Sequence, residues 1–244
     1  MTPKMTLTGP CLIPPQVLHL CRNWFIIIAH RQPNSPPPGE NFLPCDILSG
    51  EMGYIALGAV AFIIAWFFDL AAWQRIRYLK QIIGLVFVML FGYALVMVAR
   101  HPDKLPLPAW LSYAGWPLLA ISGFLLIYSL FLEIPFRQTY AADGVGDTLV
   151  KTGTYALVRH PGVLWLALFL LALVLVFRSR LLVLAAPLWI LLDVLYVWIQ
   201  ERFFFGRMFA GYEQYKQETP MLLPTPASIA RCWQSFRGSR GERK

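Results

Sequence analysis

The sequence predicts an all-α fold: a polytopic membrane helix bundle of about five transmembrane helices with a C-terminal interfacial helix. Three observations point there. Of 244 residues, 57% are hydrophobic and only 14% are charged, whereas soluble domains are about a quarter charged. The apolar residues form long uninterrupted blocks, as bilayer spans require. Most Lys and Arg residues lie between or after those blocks, where they anchor loops to one side of a membrane. The net charge of +8 is therefore no evidence for nucleic acid. A basic, aromatic-containing tail instead suits anionic membrane lipids.

Residues 1–52 come first and differ from the rest. They hold nine of the nineteen prolines, including Pro36, Pro37 and Pro38. Their one apolar run, from Trp24 to Ala29, is too short to span a bilayer, and no small-residue cleavage site follows it closely. They read as a poorly ordered or interfacial extension, with Met52 the more usual start for such a protein. Cys11, Cys21, Cys45 and Cys232 form no CxxC pair and have no His at zinc spacing, so neither a metal nor a disulfide framework is expected.

The spans are expected at residues 53–73, 82–99, 110–132, 162–177 and 181–199. The first three form an N-terminal transmembrane part over 53–132. Within it, Gly115 and Gly123 suit close helix contact, and Asp69 reads as an interfacial acid. The fourth span is short, and Arg178 and Arg180 at its end can snorkel. Only Arg178, Ser179 and Arg180 link spans four and five, which predicts a tight antiparallel hairpin. Five spans place 14 Lys and Arg on one side and 7 on the other, so the richer side is expected to be cytoplasmic. That side holds the loops at 74–81 and 133–161 and the tail after 200.

Two polar stretches interrupt the scaffold on that side. The first is Leu149, Val150, Lys151, Thr152, Gly153, Thr154, Tyr155, then Arg159, His160 and Pro161. Pro161 suits the first position of a helix, so free N–H groups and a positive dipole end favour an anionic ligand there. The second stretch is Gln200-Glu201. Asp193, Val197 and Glu201 recur at i, i+4 and i+8 and share a helix face, which the hairpin can bring to Arg159 and His160. A mixed aromatic and charged helix follows, ended by Pro220 and Pro224. A bland reading stays open for each: a basic interfacial loop, a structural ion pair and a membrane anchor. Arg100-His101-Pro102 copies the later triplet but follows a helix, and reads as a helix stop.

Taken together, these residues resemble the isoprenylcysteine carboxyl methyltransferase and phospholipid methyltransferase superfamily of integral membrane methyltransferases. The resemblance rests on the 149–161 stretch and, in order after it, on Glu201, Phe204, Tyr212, Tyr215, Pro220 and Pro224. It covers roughly 120–224, with a methyltransferase core over 133–224 and a basic tail over 225–244. Val163, Gln200 and Phe209 stand where the family has a tyrosine, a second glutamate and a glycine.

The resemblance implies methyl transfer from S-adenosyl-L-methionine. Carried over, Leu149, Val150, Tyr155, His160, Pro161, Gln200 and Glu201 bind the cofactor, and Glu201 and Arg159 carry the catalytic charge. Glu201 suits the cofactor's ammonium, and Arg159 or the helix start suits its carboxylate. The implied acceptor is lipophilic or a small membrane-soluble molecule, such as an isoprenylcysteine-like carboxylate, a thiol or a lipid amine. No metal and no nucleic acid are expected. The expected location is a prokaryotic plasma membrane, with the site facing the cytoplasm. Two other readings stand beside this one: an NADPH-dependent sterol-type membrane reductase, for which no dinucleotide glycine fingerprint is present, and a non-catalytic membrane scaffold.

Overall fold

The structure is a computed structural model that describes residues 44–74, 78–134 and 149–241. The expected N-terminal extension up to residue 43 lies outside these residues. Among the described residues the fold is all helical. α1 runs over Pro44–Trp73, α2 over Leu79–Ala99 and α3 over Ala109–Ile127. α3 continues into a π-helical turn at Tyr128–Leu132. After the short α4 (Thr154–Leu157) come α5 (Pro161–Phe177) and α6 (Arg180–Ile199). A second π-helical turn, Gln200–Phe205, extends α6 into α7 (Gly206–Met208), and α8 (Tyr212–Glu218) and α9 (Pro226–Gly241) close the chain.

Four of these segments are long and apolar enough to cross a membrane: Glu51–Ala72, Leu79–Ala99, Ala109–Leu132 and Arg180–Met208. The first three match the expected first, second and third spans within a few residues, and the last starts one residue before the expected fifth span but continues nine residues past its expected end at 199. α5 is apolar but has 17 residues, about 25 Å at 1.5 Å per residue, a little less than the hydrocarbon thickness. α1 begins well before the boundary expected at 52 and runs through it without a break. The stretch after Glu201, expected as one interfacial helix, is divided at Phe209, where the backbone is extended. Gly211 then takes a positive φ of 76° to start α8, a conformation that suits glycine.

The buried core lies between α1, α2, α5 and α6. Its centre is Trp189, fully buried, whose indole N–H donates to the Ile55 carbonyl at 3.1 Å. Its ring lies so close to α1 that a Cβ on Gly58 would sit 2.5 Å from it. On the other side, α3 lies against α5. There a Cβ on Gly115 would stand 2.9 Å from Val176, and the Ser112 hydroxyl donates to the Leu175 carbonyl at 3.0 Å. Small residues thus set helix spacing where apolar side chains gain little by leaving lipid.

The expected hairpin is present. Arg178 ends α5 in the left-handed region with φ 54°, and the buried Ser179 hydroxyl accepts from Leu182 N–H to cap α6. The same hydroxyl donates to Val98 O at 2.6 Å, tying the link to the end of α2. Arg178 donates to Leu107 O and Arg180 pairs with Asp103 at 3.6 Å. Both arginines therefore hold the neighbouring loop at this end of the bundle.

Candidate functional site

At the opposite end of the hairpin, the 149–160 stretch folds back over the start of α5. Leu149 and Val150 are partly buried and lie outside any helix. Gly153 has φ 61° and ψ −130°, a region essentially closed to other residues. A Cβ there would also run into the Glu133 carboxylate. Glu133, the residue after span three, satisfies the start of α4. It accepts the Thr154 N–H at 2.7 Å and the Thr154 hydroxyl. Burial raises its pKa against the pull of those two donors. The Tyr155 hydroxyl donates to Ser129 O at 3.2 Å, anchoring α4 to the end of α3.

The chain then delivers three residues in a row. Pro161 is the first residue of α5 and His160 its N-cap, with no side chain capping the free N–H groups. The Arg159 and His160 amides donate to the carbonyls of Pro220 and Met221 at 2.9 and 3.2 Å. The segment after α8 is therefore strapped across the start of α5.

Glu201 comes from the π-helical turn at the end of α6 and meets both side chains. Arg159 Nε donates to its Oε1 at 2.7 Å and Nη2 to its Oε2 at 3.0 Å. The His160 Nε2 lies 2.9 Å from the same Oε1. Arg159 and Glu201 side chains are each 8% exposed. Arg159 Nη1 reaches further, to the carbonyls of Lys216 at 2.9 Å and Thr219 at 2.6 Å. One guanidinium thus joins the start of α5, the end of α6 and the end of α8. Burial opposes the charge on Arg159, but the Glu201 hydrogen bonds and charge outweigh it and raise the pKa.

Aromatic rings wall this cluster. The Phe205 ring stacks on His160 at 5.8 Å and meets Tyr212 edge-on at 5.5 Å. Tyr212 in turn meets Tyr215 at 6.0 Å. Burial, joined by the nearby negative charge of Glu201, pushes the Tyr212 pKa well up. Burial does the same for Tyr215, opposed by Arg159 and reinforced by Glu201. Both phenols stay protonated at neutral pH, and Tyr215 donates to the Tyr155 carbonyl at 2.6 Å. Lys151 lies 5.9 Å from the Tyr215 ring centre. Phe209, at the expected glycine position, packs its ring against Phe205, and Val163 is buried in α5.

Arg159, His160, Pro161 and Glu201 are thus brought together, with Tyr155 beside them through Tyr215. Gln200 goes elsewhere. Its amide donates to Asp69 Oδ2 of α1 at 2.9 Å. Asp69 is 8% exposed, so this acid near the end of the first span is covered by the protein and partnered by Gln200. The Gln200–Asp69 hydrogen bond has a simple chemical basis, since a second carboxylate at 200 would repel Asp69. Asp193 makes no hydrogen bond or ion pair among the described residues, so of the face expected over Asp193, Val197 and Glu201, the acid that reaches the cluster is Glu201. Glu133 and Asp69 were missed as partners; an acid at the border of an apolar block is the only sign either left. Among the described residues no group of three His, Cys, Asp or Glu side chains is placed to hold a metal. Comparison with protein-family models, with curated proteins and with solved structures finds no match for this chain.

Proposed function

We propose that the protein is an integral membrane S-adenosyl-L-methionine-dependent methyltransferase with a lipophilic or small membrane-soluble acceptor. The observation that carries this reading is the meeting of Arg159, His160 and Glu201. Two motifs about forty residues apart in the chain, each resembling half of a methyltransferase cofactor site, share one buried charge cluster.

The hydrogen-bonding positions left over in that cluster fit the two ends of an amino-acid moiety. A guanidinium has five N–H donors, and Arg159 commits two to Glu201 and two to backbone carbonyls. The remaining N–H, with the uncapped start of α5, offers a carboxylate a site. Glu201 accepts two donors on Oε1 and one on Oε2, which leaves Oε2 a lone pair for an ammonium. Bound there, the cofactor supplies an activated methyl on a sulfonium, which already carries its own leaving group. The chain's task is then to hold, orient and exclude water. The ring wall of Phe205, Tyr212 and Tyr215 suits the last. The excess of Lys and Arg on this side supports a cytoplasmic site.

The same satisfied hydrogen bonds favour a second reading, a non-catalytic scaffold in which Arg159 is a structural clasp. Calorimetric titration of the detergent-purified protein with S-adenosylhomocysteine and with NADPH separates the readings. The expected result is saturable binding of S-adenosylhomocysteine, lost in Glu201→Gln with thermal unfolding still cooperative. Silence with both ligands supports the scaffold, and binding of NADPH alone a reductase.

A further inference from the structure

α9 carries a hydrophobic stripe on its exposed side. Ile229, Trp233 and Phe236 recur at i, i+4 and i+7, so they share one side of the helix. They are 53%, 62% and 40% exposed. Ser228, on another face, is fully buried. The stripe borders an apolar groove of about 500 Å³ closed on its far side by Leu157 of α4. Leu157 stands four residues before α5 begins, so α9 lies beside the entry point of an apolar helix, not out in solvent. The segment 226–244 carries five Lys and Arg and one acid. The Arg237 guanidinium lies over the Trp233 ring at 5.3 Å, which keeps a cation at the edge of the stripe.

An apolar stripe edged by arginine at the level of a bilayer border fits a lipid surface with anionic headgroups. α9 is also joined to the site loop: the Gly153 amide donates to the Ser235 hydroxyl at 2.8 Å. We propose that α9 is a lipid-seated brace, whose stripe enters the bilayer border, whose arginines take anionic headgroups, and whose Ser235 passes that anchorage to the loop at Gly153. Lipid charge then sets how firmly the 149–158 loop is held. The inference stands on packing and charge and does not depend on methyl transfer.

Hydrogen exchange of the full chain in nanodiscs tests it. One set of discs is made of phosphatidylcholine alone and the other also contains phosphatidylglycerol. In the anionic discs, amides of 226–241 exchange about tenfold more slowly, given about one kcal/mol per basic residue at an anionic surface. Amides of α5 serve as the unaffected reference. Trp233→Glu, at an exposed position, removes the difference. Ser235→Ala keeps α9 protected but speeds exchange at 152–158. Equal exchange of α9 in both discs overturns the proposal. So does protection of α9 that appears only when another protein is added. Unchanged loop exchange in Ser235→Ala overturns the brace.

Discussion

Arg100-His101-Pro102 and Arg159-His160-Pro161 are the same three residues, one following a helix and one starting a helix. Arg100 is an exposed C-cap of α2. His101 pairs with Glu51 at 3.0 Å, where the acid is 32% exposed. Arg159 and His160 meet an acid that is 8% exposed, and a distant segment lends them two further carbonyls. Chemistry alone does not separate the two triplets. Burial and the number of chain segments that converge on each do. In water, an ion pair gains little over its hydrated charges. Out of water, each charge must be matched by its neighbours.

Removing the acid at each triplet is the strongest way to break this contrast. Glu201→Ala leaves two buried cationic or donor groups unmatched and is expected to cost about 3–5 kcal/mol. Glu51→Ala is expected to cost about 1 kcal/mol or less. Thermal unfolding in detergent measures both, and similar losses would show that the two triplets are equivalent. Swapping the cation is gentler. Arg159→Lys has three donors for the four hydrogen bonds that Arg159 makes and cannot grip both Glu201 oxygens as a fork, so a loss of about 2 kcal/mol is expected. Arg100→Lys on the exposed side should stay within about 0.5 kcal/mol in the same measurement. A smaller effect than either change at Arg159 or Glu201 belongs to the residue beside the acid. Gln200→Glu loses the donor to Asp69 and is expected to cost about 1 kcal/mol, while S-adenosylhomocysteine affinity is retained, because Gln200 turns toward α1. A large loss of affinity would move Gln200 into the cofactor site.

The spans were legible because each is a long apolar block bounded by charged residues or Pro, and the Arg178–Arg180 link left no room for any turn but a hairpin. Pro161 announced the start of α5 through its missing N–H. The meeting of Arg159 with Glu201 was legible only once the hairpin had been inferred and the resemblance had paired the two motifs. What stayed hidden depended on long-range packing. The carbonyls of Lys216 and Thr219 that hold Arg159 carry no side-chain signature. Gln200 and Asp69 lie 131 residues apart, and the amide's choice of that acid over its neighbours is set by how α1 packs on α6. Gly58 gave no sign that it faces Trp189, because apolar helices in lipid have no polar side to fix their rotation.

The widened turn at Gln200–Phe205 has a consequence for counting residues. A π turn holds one more residue than the α-helix it interrupts. Deleting one of the six other than Glu201 would restore ordinary winding and leave the helix beyond close to its present phase, because the widened turn already absorbs the extra residue. The same deletion within the α-wound part of α6 would turn everything downstream by about 100° and carry Tyr212 and the strap at Pro220 and Met221 away from Arg159. In comparing this chain with another, a one-residue gap at 200–205 is therefore a change of winding, and it weighs less than a one-residue gap elsewhere in α6.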